Sequence, residues 1–138
     1  MTKQNIVLGA LRYVMGFIFL WAFLDKTFGL GFATTAENAW IHGGSPTVGF
    51  LSFAVKGPFV DFFHSLAGIA AIDWLFMFGL LFIGLTLIFN KFIKWGCLAG
   101  SLLMLLMYLS LLLPENNPVI DEHIVYILVL ALIAFKDE

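Results

Sequence analysis

Four long apolar stretches, at residues 6–28, 72–89, 93–113 and 119–135, leave this chain few ways to fold. Each is close to the ~20 residues that a helix needs to cross the hydrocarbon core of a bilayer. Hydrophobic residues make up 62% of the sequence, well above the roughly half found in soluble domains. No alternating period-2 pattern runs through the stretches, which argues against a transmembrane barrel. Helices are the remaining way to satisfy backbone polar groups in lipid. The expectation is an all-α fold: an integral membrane four-helix bundle forming one domain over residues 1–138. A long outer segment, 29–71, is expected to contain short interfacial helices. The first apolar stretch is about twice the length of a signal-peptide core. It also carries Arg12, Asp25 and Lys26, so it reads as a retained helix.

The lysines set the expected orientation. With four crossings, Lys3, Lys91, Lys94 and Lys136 all fall on one side. The positive-inside rule makes that side cytoplasmic, with both termini inside a multi-pass cell-membrane protein. Residues 29–71 and 114–118 then fall on the outer side. The three histidines, His42, His64 and His123, lie there or at that boundary, with Glu37, Asp61, Asp73, Glu115, Asp121 and Glu122. Trp40, Trp74 and Trp95 sit where interfacial aromatic belts form. A net charge of −2 offers no basic surface for nucleic acid. A single cysteine, Cys97, allows neither an internal disulfide nor a Cys-x-x-Cys pair. It reads as a small buried hydrophobe.

Local signals refine this picture. Gly96 and Gly100 form a G-x-x-x-G that permits close helix approach. Gly9, Arg12 and Gly16 share one face of the first helix, which should point into the bundle because intramembrane charges do so. Met104 and Met107 read as core filler. Gly29 and Gly31 suit the left-handed end of the first helix. Residues 36–42 read as a short helix, Gly43-Gly44-Ser45-Pro46 as a turn and Gly57-Pro58 as a break. Phe59, Phe62, Phe63, Leu66 and Ala67 follow helical spacing opposite Asp61, His64, Ser65 and Gly68, which predicts an amphipathic helix over 59–68. Asn117 before Pro118 reads as a helix cap with proline at the first helical position. Asp121 and Glu122 then complement the helix dipole. His123 and Tyr126 lie one turn apart and share a face, within reach of a hydrogen bond.

Two buried charges need partners. Asp25, at the repulsive C-terminal end of a helix, has Lys56, a histidine or a substrate-linked proton as candidates. Lys26 beside it can reach the interface. Arg12 lies about two turns into the membrane, where carbonyl groups, Asn90 or a lipid phosphate are the choices, or else an anion or quinone carbonyl. The histidines show no tight ligand spacing, so no metal site is assigned, and no haem motif is present.

Several segments resemble the DoxX/DoxD family. They are Leu11-Arg12 through Asp25-Lys26, Trp40-Ile41-His42-Gly43-Gly44-Ser45-Pro46-Thr47, Lys56-Gly57-Pro58-Phe59, Asp73-Trp74-Leu75-Phe76, and Glu115-Asn116-Asn117-Pro118 through His123. The resemblance runs through nearly the whole chain in order. It implies a small four-helix membrane protein similar to the DoxD-type subunit of thiosulfate:quinone oxidoreductase, passing electrons from an external sulfur compound to membrane quinone. On that reading Asp25 and His123 are catalytic. Lys26, His42, Gly43, Gly44, Ser45, His64, Asn116, Asn117, Asp121 and Tyr126 bind substrate. Arg12 and Trp21 contact quinone, the implied cofactor. The partners are the lipid bilayer, a second DoxA-like subunit and a possible homo-oligomer. The alternative is a non-catalytic membrane scaffold, or a small-molecule or lipid-binding component of a redox complex.

Overall fold

The structure, a computed structural model, describes residues 2–136. It is all-helical, with no strand among the described residues. Three helices are long and apolar enough to cross a membrane: α1 (Lys3–Phe28), α3 (Ala70–Phe89) and α4 (Ile93–Ser110). A shorter apolar helix, α5 (Glu122–Ala134), follows. Between α1 and α3 the chain makes two 3-10 turns, Ala36–Asn38 and Trp40–His42, then a π-helical stretch at Phe50–Ala54 and a short helix, α2 (Val60–His64).

The boundaries follow from local chemistry. Thr2 caps α1 by accepting the Asn5 N–H at 3.1 Å. Gly29 closes α1 in the left-handed conformation, φ 66°, as its sequence position suggests. α3 ends at Asn90, also left-handed at φ 56°. Asparagine tolerates that conformation better than most residues.

Two expected boundaries move. The third apolar stretch leaves its helix at Ser110, not residue 113. The Ser110 hydroxyl turns back to the Met107 carbonyl, and its own carbonyl accepts the Lys56 N–H at 2.9 Å. The fourth begins at Glu122, and Asn117 is not its cap. Asn117 Oδ1 instead takes the N–H groups of Val119 (2.9 Å) and Ile120 (2.6 Å), which holds them in a side-chain-closed turn. Asp121 caps α5 through the His123 N–H at 2.9 Å. The amphipathic segment is likewise shorter than expected. Only Val60–His64 is α-helical, Phe63 is buried and Phe62 stays exposed.

α1 packs on α3, α3 on α4, α4 on α5, and α5 returns to α1. Met15, Phe19, Met77, Leu80, Ile83, Leu87, Met104, Leu130 and Ile133 fill the shared core. Close approach depends on small residues. A side chain at Gly96 would collide with Thr86, and one at Gly100 would press on Leu130 and Ile83. Thus the G-x-x-x-G face of α4 meets both α3 and α5. Leu51, Val55 and Phe63 form a second small core with Ile72 and Leu109, which folds the 50–67 segment onto the adjoining ends of α3 and α4. Outward, Phe17, Phe78, Leu98 and Leu128 are each more than half exposed. So wide an apolar surface fits lipid, not water.

Candidate functional site

Asp25 is 2% exposed, yet its charge is well met. Residues 30–34 bend back over the end of α1, and three of their amides point at the carboxylate. Oδ1 accepts from Phe32 N–H at 3.2 Å, and Oδ2 accepts from Ala33 at 2.8 Å and Thr34 at 3.1 Å. Neither Lys56 nor a histidine partners it. Backbone donors of this kind satisfy the acceptor oxygens of a buried carboxyl group. The residue holds the first turn of the loop to α1.

A second acid does the same job farther along the loop. Asp73, in the first turn of α3, is 8% exposed, and its Oδ1 accepts the hydroxyls of Ser45 (2.7 Å) and Thr47 (2.6 Å). Ser45 Oγ also accepts the Val48 N–H at 3.1 Å. The Gly43–Pro46 turn is thereby fastened to α3, with Trp40 and Trp74 edge to face at 4.7 Å beside it. Asp73 was not among the expected site residues. An acid at the start of an apolar helix, which needs a polar partner, was the available signal, since its partners lie 26 and 28 residues away in the chain.

The remaining expected site residues do not form one cluster. His42 is exposed and donates from Nδ1 to the Ala36 carbonyl at 2.8 Å. His64 is exposed on α2. His123 is 6% exposed and donates from Nδ1 to Asp121 Oδ2 at 2.9 Å, so the expected Tyr126 bond is replaced by an acid two residues away. Tyr126 instead packs half-buried against the main core. Asn116 is exposed. Gly43 takes a left-handed φ of 91°, and Gly44 lies against the Asn38 carbonyl, where a side chain would collide. Lys26 is half-buried in the last turn of α1. Trp21 stacks on Phe17 at 5.8 Å and meets Phe32 edge-on at 5.2 Å. Lys56 and Glu115 form an exposed ion pair at 3.6 Å. Among the described residues, no three His, Cys, Asp or Glu side chains lie within metal-binding reach of one another.

A hollow lies at the other end. A cavity of about 550 Å³ opens where the start of α1, the α3–α4 turn, the start of α4 and the end of α5 meet. Asn5, Gly9, Arg12, Asn90, Lys94 and Lys136 are among its lining residues. Three of these are cationic and none of the described lining residues is acidic. Arg12 is half-buried. Its Nη1 donates to the Leu87 carbonyl and, at 3.3 Å, to that of Ile88. These carbonyls belong to the last turn of α3, which lacks helical donors. Arg12 therefore caps α3 from a neighbouring helix, with its guanidinium carbon 4.3 Å from the centre of the Tyr13 ring. The expected carbonyl partnership of Arg12 is thus present, and the Asn90 alternative is met only as a shared cavity wall. Asn5, Asn90, Lys94 and Lys136 were absent from the expected site. The clustering of lysines at one end was the signal for them. No protein family, characterised protein or solved structure matches this chain, so its function is read from these residues themselves.

Proposed function

We propose that the chain is a four-helix membrane protein with both termini cytoplasmic, acting as a non-catalytic component that binds a membrane-borne small molecule. Four apolar helices in cyclic contact support the bundle. Convergence of Asn5, the α3–α4 turn and Lys136 on one cavity supports alternating crossings. The 3-10 turns and α2 would lie at the outer interface. The observation that carries the binding reading is the division of labour between the two ends. Outer polar groups hold loops in place, whereas the lysine-rich end combines cations with an open cavity.

The DoxX/DoxD-like motifs favour a second reading, a thiosulfate:quinone oxidoreductase subunit working with a DoxA-like partner. The buried His123, hydrogen-bonded to Asp121, is the polar side-chain pair in the structure that this reading would use. One sample separates the two. Protein extracted in mild detergent should carry a membrane amphiphile, seen by native mass spectrometry, and should not reduce a quinone analogue with thiosulfate. Thiosulfate-dependent reduction with the partner present would replace the first reading by the second.

A further inference from the structure

We propose that residues 50–62 form a lipid-inserted element, with Phe53, Phe59 and Phe62 entering the bilayer leaflet beside the loop-bearing ends of α3 and α4. This extends the interfacial placement of α2 and is independent of what the cavity at the opposite end binds. The segment has two apolar faces. Leu51, Val55 and Phe63 turn inward onto Ile72 and Leu109. Phe53, Phe59 and Phe62 turn outward and are 90%, 44% and 59% exposed. A patch of uncovered aromatic rings marks an interaction surface. Its exposure follows from how the segment is held. Thr47 is fixed to Asp73 in the first turn of α3. Farther on, the Lys56 N–H donates to the Ser110 carbonyl at the end of α4, at 2.9 Å. Gly57, at φ 86°, lies so close to the Leu112 carbonyl that a side chain would collide. Fastened at both ends, the loop holds Phe53 outward.

Three observations identify lipid as what covers this face. The first is continuity. Ile72 lies in the first turn of α3 and Leu109 in the last turn of α4. One turn farther along, Leu75 and Leu106 are already exposed on helices long and apolar enough to cross a membrane. The lipid-facing surface of the bundle therefore begins within a turn of the residues on which the segment packs. The second is charge. From Pro46 to Val60 the only charged residue is Lys56, and Glu115 pairs with it at 3.6 Å. The third is the backbone, whose polar groups must be satisfied within the protein if lipid surrounds it. The π-helical stretch Phe50–Ala54 does so, flanked by Leu51 N–H on the Thr47 carbonyl at 3.0 Å and Val55 N–H on that of Phe50 at 3.3 Å. Val60 N–H then meets the Gly57 carbonyl at 3.2 Å, and Phe63 N–H that of Phe59 at 3.2 Å. α2 also has the sidedness of an interfacial helix. At about 100° per residue, Phe62 and His64 project roughly 160° apart on opposite flanks of α2, one toward lipid and the other toward water.

The test uses the full-length protein in lipid nanodiscs, carrying one spin label through Phe53→Cys, Phe59→Cys, Phe62→Cys, His64→Cys or Phe78→Cys in a Cys97→Ser background. Phe78, exposed on α3, is the membrane reference. Collisions with oxygen, which concentrates in lipid, are compared with collisions with a water-soluble nickel chelate. Labels at 53, 59 and 62 are expected to favour oxygen severalfold more than the label at 64, as the label at 78 does. Labels at 53, 59 and 62 that meet the chelate as freely as 64 overturn the proposal, and a lipid-facing 78 would then keep the membrane bundle. If 78 is also open to the chelate, both fall. Shielding from both reagents would show protein on the face, a second copy if spin–spin broadening accompanies it, and would overturn lipid as the occupant. One further comparison needs no label. Phe53 lies outside both cores, so Phe53→Asp disturbs little packing. It should lower the melting temperature in nanodiscs, whereas His64→Asp should not. Equal melting temperatures would count against insertion.

Discussion

Asp25 and Arg12 show what a single residue can disclose. Each is a charge inside an apolar helix, so each demands a partner, and the sequence marks both. The partners themselves are backbone groups: three amides for Asp25 and two carbonyls for Arg12. Backbone groups carry no sequence signature, so side-chain candidates such as Lys56 or a histidine were the natural but incorrect expectation for Asp25. Its geometry gives a definite expectation for the variant. Asp25→Asn replaces an acceptor facing three donors with a group that is half donor, and should destabilise the protein by about 2 kcal/mol, read as a lower melting temperature in detergent. Thr47→Val removes one of two hydroxyls on Asp73 and should cost about 1 kcal/mol by the same assay. Lys56→Gln breaks an exposed pair and should change stability by less than about 1 kcal/mol.

Among the elements, the long helices were legible because about 20 residues of nearly unbroken hydrophobicity is a strong signal, and because glycine marks the end of the first. The G-x-x-x-G of α4 was equally clear, and its consequence is sharp. Gly96→Val should force Thr86 and α3 away and destabilise the fold by about 1–3 kcal/mol, whereas Gly9→Ala, with open space around it, should not. The loop elements were less legible. Asn117-Pro118 has the composition of a helix start, but its side chain closes a turn and passes the cap to Asp121. The choice between two capping residues four positions apart depends on where the chain enters the bundle, which is a tertiary property. Asp121→Ala should therefore shorten α5 and free His123, costing about 1 kcal/mol, while Asn117→Ala should loosen only the turn. Hydrogen exchange at the α5 amides would distinguish the two.

At the scale of the whole molecule, the sequence separates polar groups onto two ends, and that separation is visible in the packing. It does not identify which end is hollow. Counting titratable residues favours the loop-bearing end, because acids and histidines are numerous there. In the structure many of those groups bind their own loops, and a cavity of about 550 Å³ opens among the lysines. A cavity depends on where helix ends diverge, which composition does not encode. α5 is the critical element. Its 13 residues span about 20 Å, short of the ~30 Å hydrocarbon core. Apolar Val119, Ile120 and Phe135 at its margins would complete a crossing, helped by local thinning of the bilayer. Four crossings would place the loop anchors and the cavity lined by Arg12 and Lys136 on opposite faces of the membrane. The direct measurement is cysteine labelling with an impermeant thiol reagent on intact cells, in a Cys97→Ser background, with cysteine introduced at His42, Lys91, Glu115 and Lys136. Positions 42 and 115 should label in intact cells, and 91 and 136 only after the membrane is opened. Labelling of position 136 together with 115 in intact cells would show three crossings and contradict the cavity's placement.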